Sequence, residues 1–390
     1  MLSDTTAPAT VQQVLRHCSE EAFIENAHAR RVLGRIRRCR TAALGCHIYK
    51  CSNYDCGHVK YQYHSCRDRH CPCCGAIKKQ AWIEARMQEL LPVKYYHVVF
   101  TLPHELNSIV LGNRRALFKL LFDASADTLL TFAKDPQYLQ AQPGIISVLH
   151  TWGQQLSFHP HIHCIISGGG VAKNGNWKDA KKNQYRFLFP VKAMQQVYKG
   201  KFLQQLKQLI ASGQVSIPAA TDIKQLLDKL YDKDWVVYAK APFGGPHAVI
   251  EYLGRYTHKV AISNHRIHSI DEQAGIVTFN YKDYSDGNKG KQMTLPNKEF
   301  IRRFAQHILP ERFTKIRTYG YLANRNRHHR INELLQAMKL PLHKGLLKVP
   351  MQLAMLLNYG VDIKECPCCK HKTMQLVQVV FANSKGADDG

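Results

Sequence analysis

Apolar residues return every three or four positions across residues 11–40, at Val11, Val14, Leu15, Phe23, Ile24, Val32, Leu33 and Ile36. That period predicts helix. Val93–Leu102 is instead a short apolar run stopped by Pro103, which predicts a strand. Residues 106–133 read as one or two helices with Arg114, Arg115 and Lys119 on a polar face. Ile145–Trp152 reads as a second strand, and the stretch from Phe158, ended by Gly168-Gly-Gly170, as a third. Val171–Trp177 and Tyr185–Phe189 suggest further strands, 191–211 and 221–231 helices, and Trp235–Lys240 a strand. Gly244-Gly-Pro246 opens another helix, with Pro246 suited to its first turn. Arg266–Ile270 and Ile276–Tyr281 suggest a hairpin, Lys298–Ile308 a basic helix, 330–339 a short helix, and the tail from Asn383 disorder.

Charge narrows this picture. The 390 residues allow two or three domains, and 54 Lys plus Arg against 29 Asp plus Glu leave a net +25. Such a field favours a polyanion, above all nucleic acid. The arginines at 30, 31, 35, 37, 38 and 40 fit a solvated basic face or a phosphate-tracking helix equally well. No apolar run approaches the ~18 residues of a membrane span, and the N-terminus lacks the basic-then-apolar order of a secretion signal. The expectation is a soluble intracellular protein with no membrane partner.

Candidate chemistry begins in the third strand. Successive strand side chains point to opposite faces, so His159, His161 and His163 share one face, while Phe158, Ile162, Cys164 and Ile166 carry much of the other. A lone histidine would read as a satisfied core residue, whereas three at this spacing point to a divalent cation. About ninety residues on, Tyr252 and Tyr256 stand four apart, on one face of a helix. A tyrosine oxygen is a poor nucleophile at its ordinary pKa of ~10. Beside a metal that polarises a phosphodiester it can attack phosphorus. Taken alone, the tyrosine pair reads as ordinary helix packing.

The 13 cysteines are odd in number and bunched, which points to metal sites rather than disulfides. Cys71-Pro-Cys-Cys74-Gly is a thiolate knuckle, and Cys51 with Cys56 is a looser pair; together they suggest one four-thiolate zinc site. Cys66, His70, Cys73, Cys46 and His58 are spare ligands, enough for a second ion. Cys366-Pro-Cys-Cys369 is a second knuckle whose ligand set the sequence leaves incomplete. Tyr61-Gln-Tyr-His, with Arg67 and Arg69 beyond it, suits base stacking and phosphate contact, or the packing of a small zinc core. The aromatic and basic run 316–327 is a further candidate for single-strand contact.

In this order the parts resemble the two-tyrosine, rolling-circle insertion-sequence transposases of the HUH endonuclease superfamily. The resemblance rests on the cysteine head 51–74, Phe-Thr-Leu-Pro at 100–103 and Phe-His-Pro-His-Ile-His-Cys at 158–164. It continues through Tyr-Leu-Gly-Arg-Tyr-Thr-His-Lys-Val-Ala-Ile-Ser-Asn at 252–264 and the blocks at 299–304 and 316–325, and so covers roughly residues 10–371. It implies an α+β fold: an HUH endonuclease core, a central antiparallel sheet flanked by helices, with a small N-terminal zinc-binding domain. It further implies Mg or Mn on His161 and His163, structural Zn, and Tyr252 and Tyr256 as nucleophiles that form 5′-phosphotyrosine esters. The partner implied is single-stranded DNA at element ends and target, in the bacterial cytoplasm and at the nucleoid when bound. His159 is the expected third ligand, with Gln154 the alternate. Arg255, Lys259, Lys240, Arg67, Arg69 and Arg325 are candidate DNA contacts. The first cysteine pair departs from the family pattern in its wider spacing. The expected organisation is a basic helical segment at 1–45, a zinc-binding domain at 46–90 and the nuclease at 91–285. A basic DNA-contacting region with its knuckle follows at 286–382, then a tail at 383–390.

Three rival readings compete. The same chemistry serves plasmid replication initiators and relaxases. A zinc-dependent DNA-binding regulator without enzymatic activity explains the cysteines and charge but leaves the histidines and tyrosines as coincidence. A zinc nucleobase deaminase needs His-x-Glu, and here Ile162 and His163 follow His161.

Overall fold

The apolar runs on either side of the histidine segment pair into one sheet. The structure, a computed structural model, describes residues 9–18, 23–74, 82–83, 85–87, 89–180, 187–240, 245, 248–249, 252, 254, 260–323, 327–342, 353, 355–356, 360 and 362–382. The sheet holds β3 (Tyr95–Thr101), β4 (Gly144–Trp152), β5 (Phe158–Ser167), β8 (Val237–Lys240) and β12 (Ile316–Gly320). Its order is β12-β4-β5-β3-β8, antiparallel throughout, with β5 in the centre. Between β5 and β8, a small ribbon pairs β6 (Gly169–Val171) with β7 (Trp177–Asp179). The fold is α+β.

The two faces of the five-stranded sheet differ. Phe100, Leu149, Ile162, Cys164 and Ile166 lie under the helices Asn107–Gly112, Arg114–Lys134 and Val191–Ala211, forming the largest core. The first two helices are separate because Asn113 leaves helical geometry. Its side chain donates to the Ile109 and Ser216 carbonyls and accepts from the Ser216 amide. On the opposite face, Tyr95, Ile146, Val148 and Ile165 pack with Val249, Tyr321 and the helix Arg327–Ala337. That face carries the histidines.

Two further bodies adjoin the sheet. The helices Val11–Arg16 and Ala27–Arg37 set Val14, Leu15, Val32, Leu33 and Ile36 against Val277, Phe279, Phe300 and Phe304. The latter come from β10 (Ile276–Asp283), which pairs with β9 (Ile267–Asp271) and β11 (Lys289–Pro296), and from the helix Asn297–Gln306. The described part of segment 1–45 is thus packed into this body. A three-stranded sheet joins β1 (Gly45–Cys51) to β2 (Val59–Tyr63) and to β13 (Met374–Phe381).

These pairings redistribute the span 286–382. It supplies β11 to one body, edge strand β12 to the central sheet and β13 to the cysteine-rich sheet. Arg317 sits over the Phe122 ring at 4.4 Å and 3.6 Å from Asp123, so this arginine of the aromatic and basic run braces a helix. Of the expected strand 185–189, residues 187–189 are irregular and the rest lies outside the described residues. The expected tail from Asn383 also lies outside them. Among the described residues no helix is long and apolar enough to cross a membrane.

His307, at the end of the helix Asn297–Gln306, ties this frame to the β4–β5 turn. Its Nε2 lies 3.2 Å from the Leu156 carbonyl and its Nδ1 3.2 Å from the Thr151 hydroxyl. A neutral ring donating from Nε2 and accepting at Nδ1 satisfies both. Burial, opposed by the Leu156 carbonyl and aided by the charges of Arg114 and His70, pushes its pKa down from 6.5 to about 4. The folded state therefore binds fewer protons than the unfolded chain between those values. The resulting stability is full above pH 6.5 and is lost as pH falls toward 4. Between pH 7.5 and 4.5 His307 is expected to contribute a loss of about 2–3 kcal/mol. Urea unfolding of the native chain and of His307→Gln at both pH values checks this; the variant should show the smaller fall.

Candidate active site and thiolate clusters

Cross-strand register brings histidines from three strands onto one face. His161 and His163 alternate along β5 with the apolar Ile162 and Cys164 turned into the core. His150 on β4 stands directly opposite His161, and Val99 on β3 opposite His163, with His97 two residues from Val99. Cross-strand partners point to the same side of a sheet. One donor atom each from His150, His161 and His163 therefore falls within 4.8 Å of the others. His150 and His163 are buried, and the His150 ring stacks on Trp152 at 4.7 Å.

The surrounding hydrogen bonds suit this group to a cation. His161 Nδ1 lies 2.7 Å from the His159 carbonyl, and His163 Nδ1 lies 2.9 Å from His97 Nε2. A neutral imidazole that donates from Nδ1 presents a lone pair on Nε2, the usual arrangement of a metal-binding histidine with an outer partner. The His97 ring is parallel to that of His163, 5.2 Å away. Burial, then the nearby charges of Lys240 and His161, push the His97 pKa down to about 3, so it stays neutral and can accept.

Tyr252 arrives from a distant part of the chain. Its Oη lies 2.9 Å from His97 Nε2 and 3.5 Å from His163 Nδ1, at the margin of the three-histidine group. Tyr256, Arg255, Lys259 and Arg325 lie outside the described residues. His159 is exposed and outside the close group, which takes its third imidazole from β4 instead. Gln154, the alternate, donates to the Tyr284 hydroxyl at 3.0 Å. Lys240 is exposed on edge strand β8, opposite His97 in register.

The cysteines form two groups of four, with memberships other than the one four-thiolate set that the sequence suggested. Cys39, Cys66, Cys71 and Cys74 make the first, and Cys51, Cys56, Cys366 and Cys369 the second. The expected site of Cys51, Cys56, Cys71 and Cys74 is corrected accordingly: its two pairs belong to different clusters. Strand β1 carries Cys51 into the sheet with β13, whereas Cys71 and Cys74 turn toward the end of the helix Ala27–Arg37. Cys39, just past that helix, has its Sγ 3.5 Å from Cys74, and Cys66 Sγ is 3.7 Å from Cys74. His70 is not in either cluster. Its Nδ1 donates to Asp68 at 2.9 Å and its Nε2 accepts from the Leu309 amide at 3.1 Å, so both nitrogens are used. Arg69 donates to the Phe313 and Pro310 carbonyls, and Arg67 is exposed at the turn beside Cys66.

Sequence reading missed His150, His97 and Cys39. The first two each stand as a single histidine in a largely apolar strand, at 145–152 and 93–102, which marks neither as a ligand until the strands are paired.

Comparison with known proteins follows the same division. Residues 10–102 match the family model "Transposase zinc-binding domain" and residues 144–330 match "Putative transposase". A Sinorhizobium fredii protein described as "Putative transposase y4qJ" is 39% identical over 368 residues, covering 90% of this chain and 89% of its own. The "Transposase for insertion sequence element IS801" of Pseudomonas savastanoi pv. phaseolicola is 30% identical over 337 residues, covering 85% and 79%. Likeness to solved structures is slight. Conjugative relaxase TrwC in complex with oriT DNA, metal-bound, gives a TM-score of 0.24 at 11% identity over 66% of this chain and 98% of that one. The long match at 39% identity, with the zinc-binding and transposase regions in order, shows that the chain belongs to the IS91/IS801 family of insertion-sequence transposases.

Proposed function

We propose that this transposase cuts and rejoins single-stranded DNA at the ends of its element in rolling-circle fashion, through a phosphodiester bond to Tyr252. The observation that carries the reading is the position of the Tyr252 Oη beside His97 and His163, at the margin of the three-imidazole group. The donor set fits Mg or Mn, held by His150, His161 and His163; such a cation supplies Lewis-acid polarisation of the scissile phosphate. His97 positions the phenol, whose Oη lies 2.9 Å from its Nε2. Tyr252 Oη attacks phosphorus, a new P–O bond forms, and the bond to the 3′ oxygen breaks. A free 3′ hydroxyl and a 5′ phosphotyrosine result, and attack by a 3′ hydroxyl reverses the step without ATP. Tyr256 is the second nucleophile, so one tyrosine can hold donor while the other holds target.

The basic field of the chain attracts the strand. Lys240, across β8 from His97, and Arg67 are contacts for it, as are Arg255, Lys259 and Arg325. The reaction takes place on DNA in the bacterial cytoplasm. Zn on Cys39, Cys66, Cys71 and Cys74 holds the end of the second N-terminal helix to the knuckle. Incubation with single-stranded element-end DNA tests the reading. Cleavage should proceed with Mg or Mn and fall at least about a hundredfold when the cation is chelated and zinc is retained. Cleavage unchanged by chelation would overturn it.

A further inference from the structure

We infer that Cys51, Cys56, Cys366 and Cys369 form a second zinc site, a clasp that fastens the C-terminal segment to the N-terminal zinc-binding domain. The zinc-binding family match ends at residue 102, so it contains only half of this ligand set. The other half arrives from more than three hundred residues away in sequence: Cys51 and Cys369 are 318 apart and Cys56 and Cys366 are 310 apart.

The sulfur spacing is that of a metal tetrahedron. A Zn–S bond of ~2.3 Å gives a tetrahedral S···S edge of roughly 3.8 Å. Cys51 Sγ lies 3.7 Å from Cys369 Sγ, and Cys56 Sγ lies 3.8 Å from Cys366 Sγ. A disulfide would bring sulfurs to ~2.05 Å. The backbone at both pairs is shaped for the task. Gly57 follows Cys56 at φ 55° and Lys370 follows Cys369 at φ 62°, each turning the chain back after its second thiolate. The Cys56 amide donates to the Asn53 carbonyl at 3.1 Å and the Lys370 amide to the Cys366 carbonyl at 2.9 Å, closing the two turns. The Thr373 hydroxyl lies 2.9 Å from Cys51 Sγ, where it can donate to a thiolate.

This sheet also needs a staple. Antiparallel pairing of β1 with β13 runs from Gly45 opposite Phe381 to Cys51 opposite Met374. Among the described residues, the buried apolar cluster beside it contains Cys51, Cys366 and Met374, with Tyr49, Cys56 and Cys369 packed at its edge. Leu376, Val377 and Phe381 on β13, and Tyr61 and Tyr63 on β2, are exposed. So little buried area does not hold a three-stranded sheet together, and metal binding supplies what small cores lack. Because the two halves of the site lie at opposite ends of the chain, the ion closes a loop that contains the whole catalytic sheet. Cys368, between the two C-terminal ligands, is exposed and outside the group.

Metal analysis and thiol labelling of the full chain test the clasp. Native protein should carry two zinc ions, Cys366→Ser/Cys369→Ser one, and Cys368→Ser two. In zinc-loaded native protein, mass spectrometry after alkylation should show Cys51, Cys56, Cys366 and Cys369 reacting at least about tenfold more slowly than Cys368. Zinc removal should expose all four together. One zinc in the native chain, two retained in the double variant, or Cys366 and Cys369 labelled at the Cys368 rate while zinc is bound would overturn the assignment. Should the double variant lose both ions by misfolding, the native labelling pattern decides alone.

Discussion

His150→Ala is expected to slow single-strand cleavage by about a thousandfold or more, while His159→Ala changes it by less than about threefold. The contrast follows from register. His150 faces His161 across β4 and β5 and shares its donor group with His163, whereas exposed His159 stands outside that group. Two imidazoles hold a hard divalent cation weakly, because Mg and Mn prefer more donors and better geometry than a pair provides. Loss of the third imidazole therefore acts first on affinity, and raising Mn should restore part of the rate. The sheet itself should survive, since the β4–β5 ladder is made by the backbone. Cleavage by single-turnover kinetics over a range of Mn checks the expectation, with melting of the cation-free protein as the control for folding. Equal effects at His150 and His159 would mean that the cation is held differently.

Cys39→Ser should produce the largest loss of stability of any single cysteine change, on the order of 5 kcal/mol, together with loss of one zinc. Cys39 is buried between the end of the helix Ala27–Arg37 and the knuckle at 71–74, and Cys66 donates its backbone amide to Cys39 Sγ at 3.4 Å. The same body packs Val32, Leu33 and Ile36 on Phe279 and Phe300, so freeing the helix end loosens a shared core. Cys73→Ser should cost only about 1 kcal/mol, since Cys73 Sγ takes a hydrogen bond from Asn264 and stands outside the four-thiolate group. Zinc content and urea unfolding of the two variants check this pair. Equal zinc and equal stability in Cys39→Ser and the native chain would contradict it.

How much of this was legible depends on whether the information was local. The strand at 158–167 declares itself by alternation, and the helices at 191–211 and 223–232 by their period. The third imidazole was not visible because His150 is the one histidine in a largely apolar strand that also holds Ser147 and Thr151. Only the pairing of β4 with β5 turns it into a ligand. His97 is hidden for the same reason on β3. Cys51 and Cys56 could be paired with the wrong knuckle because nearness in sequence favours Cys71 and Cys74. The actual partners come from the far end of the chain through the β1–β13 ladder. Residues 316–320 were judged by their aromatic and basic content, yet the backbone pairs with β4 and Arg317 turns to Phe122. In each case a non-local contact overrode a local pattern.

The central claim is that the phenol of Tyr252 becomes joined to DNA at the three-histidine site. Trapping the protein on single-stranded element-end DNA with Mn, digesting it and sequencing the nucleotide-bearing peptide by mass spectrometry tests this directly. A nucleotide on Tyr252, absent from Tyr252→Phe and from the chelated sample, is the predicted result. Cleaved DNA with no tyrosine-linked product, or an adduct confined to a residue remote from His150, His161 and His163, would contradict it.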